Sequence, residues 1–137
     1  MSNNCKRKLY LLCHFYTGLP NDCQNLTVTL QNEVFEEQGS RQGIYHVTGL
    51  VNEKPLWISN KSGQAIWYIQ EWDDWAIGPL ENVGSTIRGL GTINGGDIFP
   101  FNIASDKWQY WDGQLWVDSA INDIIIRCTG KVYKVLI

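Results

Sequence analysis

Short apolar runs, broken at intervals of roughly eight to twelve residues by Gly, Asn or Asp, most limit what this chain can fold into. Runs of that length suit strands and are too short for amphipathic helices. Composition agrees, because 22 Ile and Val stand against 16 Ala and Leu, and β-branched side chains fit a pleated surface better than a helix. The expectation is an all-β, single-domain antiparallel sandwich or small barrel. A length of 137 residues suits one core rather than two. No apolar window is long enough for a membrane-spanning helix.

The chain divides into an N-terminal arm or strand over residues 1–22, a Trp-rich β core over 23–128 and a C-terminal strand over 129–137. Residues 9–16 and 130–137 are apolar on both faces. Such strands want cover on both sides, so they are expected to pair with each other or to make a homo-oligomer. Lys6, Arg7 and Lys8 ahead of Leu9 also allow a poor signal sequence, although His14 interrupts the apolar run and no small-residue cleavage site follows. Leu26, Val28 and Leu30 alternate with Thr27 and Thr29 as in a half-buried strand, and residues 32–42 read as a polar connector. Strands are expected over 43–49 and 56–59 around a turn at Asn52–Pro55, and again over 63–70 and 75–78 around Asp73 and Asp74. In the third of these strands Ala65, Trp67 and Ile69 share one face, with Ile66 and Tyr68 on the other.

The glycine-rich stretch 84–91 has the composition of a phosphate cradle, since glycines expose backbone amides. It lacks the P-loop Lys-Ser/Thr and the third glycine of a dinucleotide loop, and so reads as a loop or bulged strand followed by a turn at Asn94–Asp97. Trp67 to Gly78 and Trp108 to Asp118 echo each other: an aromatic strand, an acidic turn, then a Trp on the return.

The cysteines Cys5, Cys13, Cys23 and Cys128 form no CxxC pair, which favours disulfides over structural zinc. Four cysteines allow three connectivities. Cys23 with Cys128 is favoured, because it ties the strand at Leu26 to the strand at Ile126, with Cys5 and Cys13 as the second bridge. The sequons at Asn25 and Asn60 mark these residues as candidate glycosylation sites and fit the same extracellular setting. A net charge of −3 and a pI near 5.2 argue against nucleic acid and anionic membranes as partners.

The residues Gly43, Tyr45, Gly49, Val51-Asn52, Lys54-Pro55 and Trp57, then Ala65-Ile66-Trp67-Tyr68, then Trp75, Ile77-Gly78-Pro79-Leu80 and Gly84, and finally Trp108, Tyr110-Trp111, Trp116, Ile124, Ile126 and Cys128 form a pattern. It resembles a small, largely uncharacterised Trp-rich domain of predicted invertebrate proteins, over roughly residues 23–128. The resemblance implies an extracellular β-domain with a cysteine near each end, and it implies no catalytic residues.

Catalytic chemistry is thinly supplied. His14 and His46 are the two histidines, and neither a nucleophile elbow nor HExxH is present. Asp73 and Asp74 are neighbours on a turn, which separates their carboxylates. The protein is therefore expected not to be an enzyme and to need no cofactor or metal. Binding fits better. Seven Trp, six Tyr and four Phe exceed what a core of this size needs, and they divide into a core set, Trp57, Trp67 and Trp108, and a turn-associated set, Trp72, Trp75, Trp111 and Trp116. The second set, with Asp73, Asp74, Asp112 and Gln114 as polar partners, suits a glycan or another small planar ligand. The acidic partners favour neutral or cationic ligands. An alternative is an apolar ligand, such as a lipid, sterol or carotenoid pigment, in an aromatic pocket or dimer groove. A structural, self-associating module is the third reading.

Overall fold

The computed structural model describes residues 23–130. The expected arm, the pair Cys5 and Cys13, His14 and the tail 131–137 lie outside the described residues. Nine antiparallel strands form one sheet in the order β8-β7-β6-β5-β4-β3-β2-β1-β9, curled into a half-barrel. The strands are β1 (Asn25–Leu30), β2 (Gly43–Val51), β3 (Lys54–Ser59), β4 (Gln64–Ile69), β5 (Asp74–Pro79), β6 (Leu90–Thr92), β7 (Trp108–Trp111), β8 (Trp116–Asp118) and β9 (Ile124–Gly130). The all-β, antiparallel expectation holds.

β1 to β8 form a meander, in which each strand pairs with the next in sequence. β9 breaks the order by pairing with β1 at the opposite end, Val28 facing Ile126 and Leu30 facing Ile124. A flat sheet of nine strands would set its edges about 38 Å apart at ~4.8 Å per strand. The link from Asp118 to Ile124 reaches at most about 20 Å. The sheet therefore has to curl. The space between its edges is occupied by residues 93–107, whose two short 3-10 turns, Pro100–Asn102 and Ser105–Lys107, lie against β9. The link is fastened to them: Ser119 Oγ donates to the Ser105 carbonyl at 2.6 Å, and the Asn122 N–H donates to Ser105 Oγ at 2.6 Å.

Alternation along the strands separates two cores. The inner face carries Leu26, Val28, Tyr45, Trp57, Ile66, Tyr68, Trp75, Ile77, Leu90, Trp108, Tyr110, Ile124 and Ile126, with Phe99, Phe101 and Ile103 of the excursion packed against them. The outer face carries a smaller cluster of Ala65, Trp67, Ile69 and Ala76, covered by Val51, Leu56, Ile58 and Val83. β4 is thus buried along its whole length. The three tryptophans expected in the core are there, and their indoles are satisfied where a donor is shown: Trp57 Nε1 donates to the Cys23 carbonyl and Trp67 Nε1 to the Ser85 carbonyl, each at 3.0 Å.

Residues 32–42 differ from the expected connector. Asn32–Gln38 forms a helix, α1, followed by a 3-10 turn at Gly39–Arg41. Val34 and Gln38 are its buried residues, too few for an apolar stripe to be visible in sequence. Gln38 Nε2 donates to the Trp111 carbonyl at 2.7 Å, which ties α1 to the end of β7. The turn expected at Asn52–Pro55 tightens to Asn52 and Glu53, both with positive φ (53° and 68°), the signature of a two-residue hairpin, so Pro55 belongs to β3.

Cys23 and Cys128 are joined by a disulfide, with Cα atoms 5.8 Å apart. It fastens β9 to the start of β1, where the sheet would otherwise be free to uncurl. Closing a loop of this length is worth about 4 to 5 kcal/mol on the chain-entropy view. Replacing both Cys23 and Cys128 by Ala is expected to lower unfolding stability by about 2 to 5 kcal/mol. Equilibrium urea unfolding of the two proteins checks this, and equal midpoints would mean that the bridge adds nothing.

Candidate functional site

The β7–β8 hairpin assembles the first part of the site. Trp111 and Trp116 face each other across the ladder. Their neighbours Tyr110 and Val117 turn to the inner core, so both indoles go to the outer face, where the rings meet at 5.7 Å with planes tilted by 59°. Asp112 shapes the turn between them. Its Oδ1 accepts the N–H groups of Gln114 at 2.7 Å and Leu115 at 2.8 Å, and these bonds hold its carboxyl below the usual carboxylate range.

Trp72 reaches the same face from the 3-10 turn Gln70–Trp72 between β4 and β5. What connects it to the hairpin is Arg88, which lies just before β6. The guanidinium carbon sits 4.5 Å from the centre of the Trp116 ring and 4.9 Å from that of Trp72. Two glycines give it this seat. A Cβ on Gly91 would stand 2.5 Å from Arg88 Nε, and one on Gly78 would stand 3.0 Å from the Arg88 Cα. Nη1 donates to the Thr86 carbonyl at 2.9 Å, while Nε is buried without a partner. Burial lowers the pKa of the guanidinium, and the nearby charge of Asp74 opposes that shift. The outcome is a connected surface, Trp72, Arg88, Trp116 and Trp111, with Trp72 47% and Trp111 37% exposed. Leu115 and Ile87 stand exposed at the tips of the neighbouring loops.

Several expected site residues are placed elsewhere. Trp75 is a correction: it is fully buried on the inner face, between Trp57 and Tyr68, with Nε1 donating to the Ile98 carbonyl at 2.8 Å. It faces Tyr68 across the β4–β5 ladder, and opposed residues share a face, so Trp75 follows Tyr68 inward. The aspartates are occupied too. Asp73, in a left-handed conformation at φ 53°, accepts the Tyr68 hydroxyl at 2.6 Å. Asp74 Oδ1 accepts from Thr92 at 3.1 Å and from the Gly95 N–H at 3.2 Å. Gln114 lends its backbone to the Asp112 turn and is exposed. Arg88 was missed because a lone basic residue in a glycine-rich loop has no periodic signal; its approach to Trp116 depends on pairing that only the fold supplies.

A second feature lies in the 93–107 excursion: a groove of 810 Å³ lined by Ile93, Ile98, Ile103, Asp97, Asp106 and Asp118, among others. Of the two sequons, Asn60 is exposed in the β3–β4 turn, whereas Asn25 sits within β1 with Oδ1 2.7 Å from Nδ1 of His46. Among the described residues no three His, Cys, Asp or Glu side chains gather to hold a metal ion.

Two predictions follow the geometry. In the wild type, Gly91→Ala should displace Arg88 and destabilise the fold by about 1 to 2 kcal/mol, the range of a well-packed cation–π contact. In an Arg88→Ala background the same change should be close to neutral, and a double-mutant cycle by thermal unfolding checks the coupling. The second concerns alkaline pH. Donation to the Asp73 carboxylate, with burial, pushes the Tyr68 hydroxyl up from 10.0 to about 12. A folded pKa above the unfolded one means stability that is complete below pH 10 and lost as pH rises toward about 12. Tyr68→Phe should flatten that part of the pH profile, measured by urea unfolding, although Tyr45 and Tyr110 are shifted in the same direction.

Compared with known proteins, the chain matches no family model, no curated protein and no solved structure, so the chemistry of the site has to come from its own residues.

Proposed function

We propose that the protein is a non-catalytic extracellular binding module that takes a glycan, or another small planar ligand, on its outer-face aromatic surface. The observation that carries this is the gathering of three tryptophans from two hairpins: Trp72 and Trp116 lie against the Arg88 side chain, and Trp111 lies against Trp116. An exposed indole gives a sugar ring an apolar face to stack on, and a neighbouring N–H donor fixes its orientation. The Cys23–Cys128 disulfide supports the extracellular setting. Among the described residues no helix is long and apolar enough to cross a membrane.

A second reading has an observation of its own. The inner-face aromatics are buried against one another, so an apolar ligand such as a lipid, sterol or carotenoid would go to the groove of Ile93, Ile98 and Ile103 rather than among the rings. A self-associating structural module is what remains if neither surface binds anything.

Titration of the full chain with soluble oligosaccharides should quench tryptophan fluorescence saturably, while detergent monomers should not. Trp111→Ala and Trp116→Ala should each weaken sugar binding by about fivefold or more, the roughly 1 kcal/mol that marks a contact contributing measurably to binding. Ile121→Ala, exposed and outside the site, should leave it unchanged. Quenching by detergent alone, altered by Ile98→Ala but not by Trp111→Ala, would move the function to the groove.

A further inference from the structure

The polarity of the aromatic surface differs from what the acidic turns suggest. Of the three aspartates beside the rings, Asp73 accepts from Tyr68 of the inner face, Asp112 accepts two N–H groups of its own turn, and Asp74 Oδ1 accepts from Thr92 and Gly95. In each of them Oδ1 serves the fold. The charged group in contact with the rings is a donor, Arg88.

The guanidinium carbon lies over the Trp72 and Trp116 rings, and a ring face attracts the charge without supplying a hydrogen-bond acceptor to the N–H groups. Only Nη1 has an acceptor among the described residues, the Thr86 carbonyl, and Nε is closed off. The cation is half-buried, and no carboxylate of the described residues is bonded to it; Asp74 acts on it through space and is itself engaged. A desolvated guanidinium with free terminal donors is completed best by an anion that accepts two parallel hydrogen bonds, and a carboxylate has that geometry. Resting on the glycan-binding reading above, we infer that the ligand is an acidic sugar, one whose ring stacks on Trp111 while its carboxylate meets the terminal N–H groups of Arg88.

The test is the full chain on an array of neutral oligosaccharides, their uronic-acid and sialic-acid counterparts, and sulfated glycans, with Kd values then measured for the strongest matched neutral and acidic pair. Carboxylated glycans should bind at least about tenfold more tightly than neutral ones. Arg88→Gln should remove that preference, weakening the acidic partner by at least about tenfold more than the neutral one, and Arg88→Lys, which keeps the charge but not the fork, should restore only part of it. Near-UV circular dichroism establishes that each variant is folded. If Arg88→Gln does not fold, the wild-type ratio and Arg88→Lys decide. Equal binding of neutral and acidic forms, a preference confined to sulfated glycans, or a carboxylate preference that survives in Arg88→Gln would overturn the inference and leave glycan binding standing. No signal on any glycan would overturn both.

Discussion

The short link between β8 and β9 is the constraint on which the rest of the structure depends. The meander places these strands at opposite edges of a nine-stranded sheet, yet little more than a turn of chain, residues 119–123, joins them. Curling is the only way to satisfy both conditions. Once the sheet curls, its inner face becomes a closed volume that large side chains must fill, and Trp57, Trp75 and Trp108 fill it. The remaining opening is filled by the 93–107 excursion, which contributes Phe99 and Phe101 stacked at 5.7 Å. The disulfide holds the β1–β9 side of the same closure. Much of the aromatic content is therefore a consequence of topology.

The site arises where this closure leaves the outer face partly covered. Across β3, β4 and β5 the outer cluster around Trp67 is roofed by the segment that runs from Leu80 toward β6. That segment ends at Arg88, beyond which β6 is three residues long and Gly91 offers no side chain. Beside it, β7 and β8 turn Trp111 and Trp116 outward, where the described residues leave the face partly open and Trp111 37% exposed. Arg88 lies down into that gap. The same segment thus roofs one part of the outer face and supplies the cation of the neighbouring part.

Much of this is legible in the sequence, and the side chains assigned to the wrong face share a cause. The strand-length runs and the two-faced pattern of Ala65 to Ile69 follow from alternation, a local property, and the bridge from Cys23 to Cys128 is favoured among three connectivities because each cysteine borders a legible strand. Trp75 and Trp116 look equivalent locally, each beginning the return strand after an acidic turn. Their fates differ because Trp75 opposes Tyr68, an inner residue, while Trp116 opposes Trp111, an outer one. One residue of parity decides core or surface, and parity is fixed by the register of the entire meander. The bulge between Val47 and Gly49 shows the same sensitivity: Val47 belongs to the inner cluster and Val51, an even number of positions later, to the outer. α1 was hidden for a different reason, since a helix with two buried residues carries no readable stripe.

The glycines of the 84–91 stretch show how one sequence feature can support opposite chemistries. Glycines beside a phosphate work by exposing backbone N–H groups to an anion. Here the Gly89 N–H is already given to the Ile77 carbonyl at 2.9 Å, and Gly91 serves by lacking a side chain where Arg88 crosses the sheet. The positive group on this surface is therefore a side chain fixed by its contacts with two indoles rather than a loop of amides. A side-chain donor of that kind is set by the rings that hold it, so any substitution that moves Trp72 or Trp116 also moves the guanidinium. Stacking surface and hydrogen-bond donor then act as one unit, and their separate substitutions should not add.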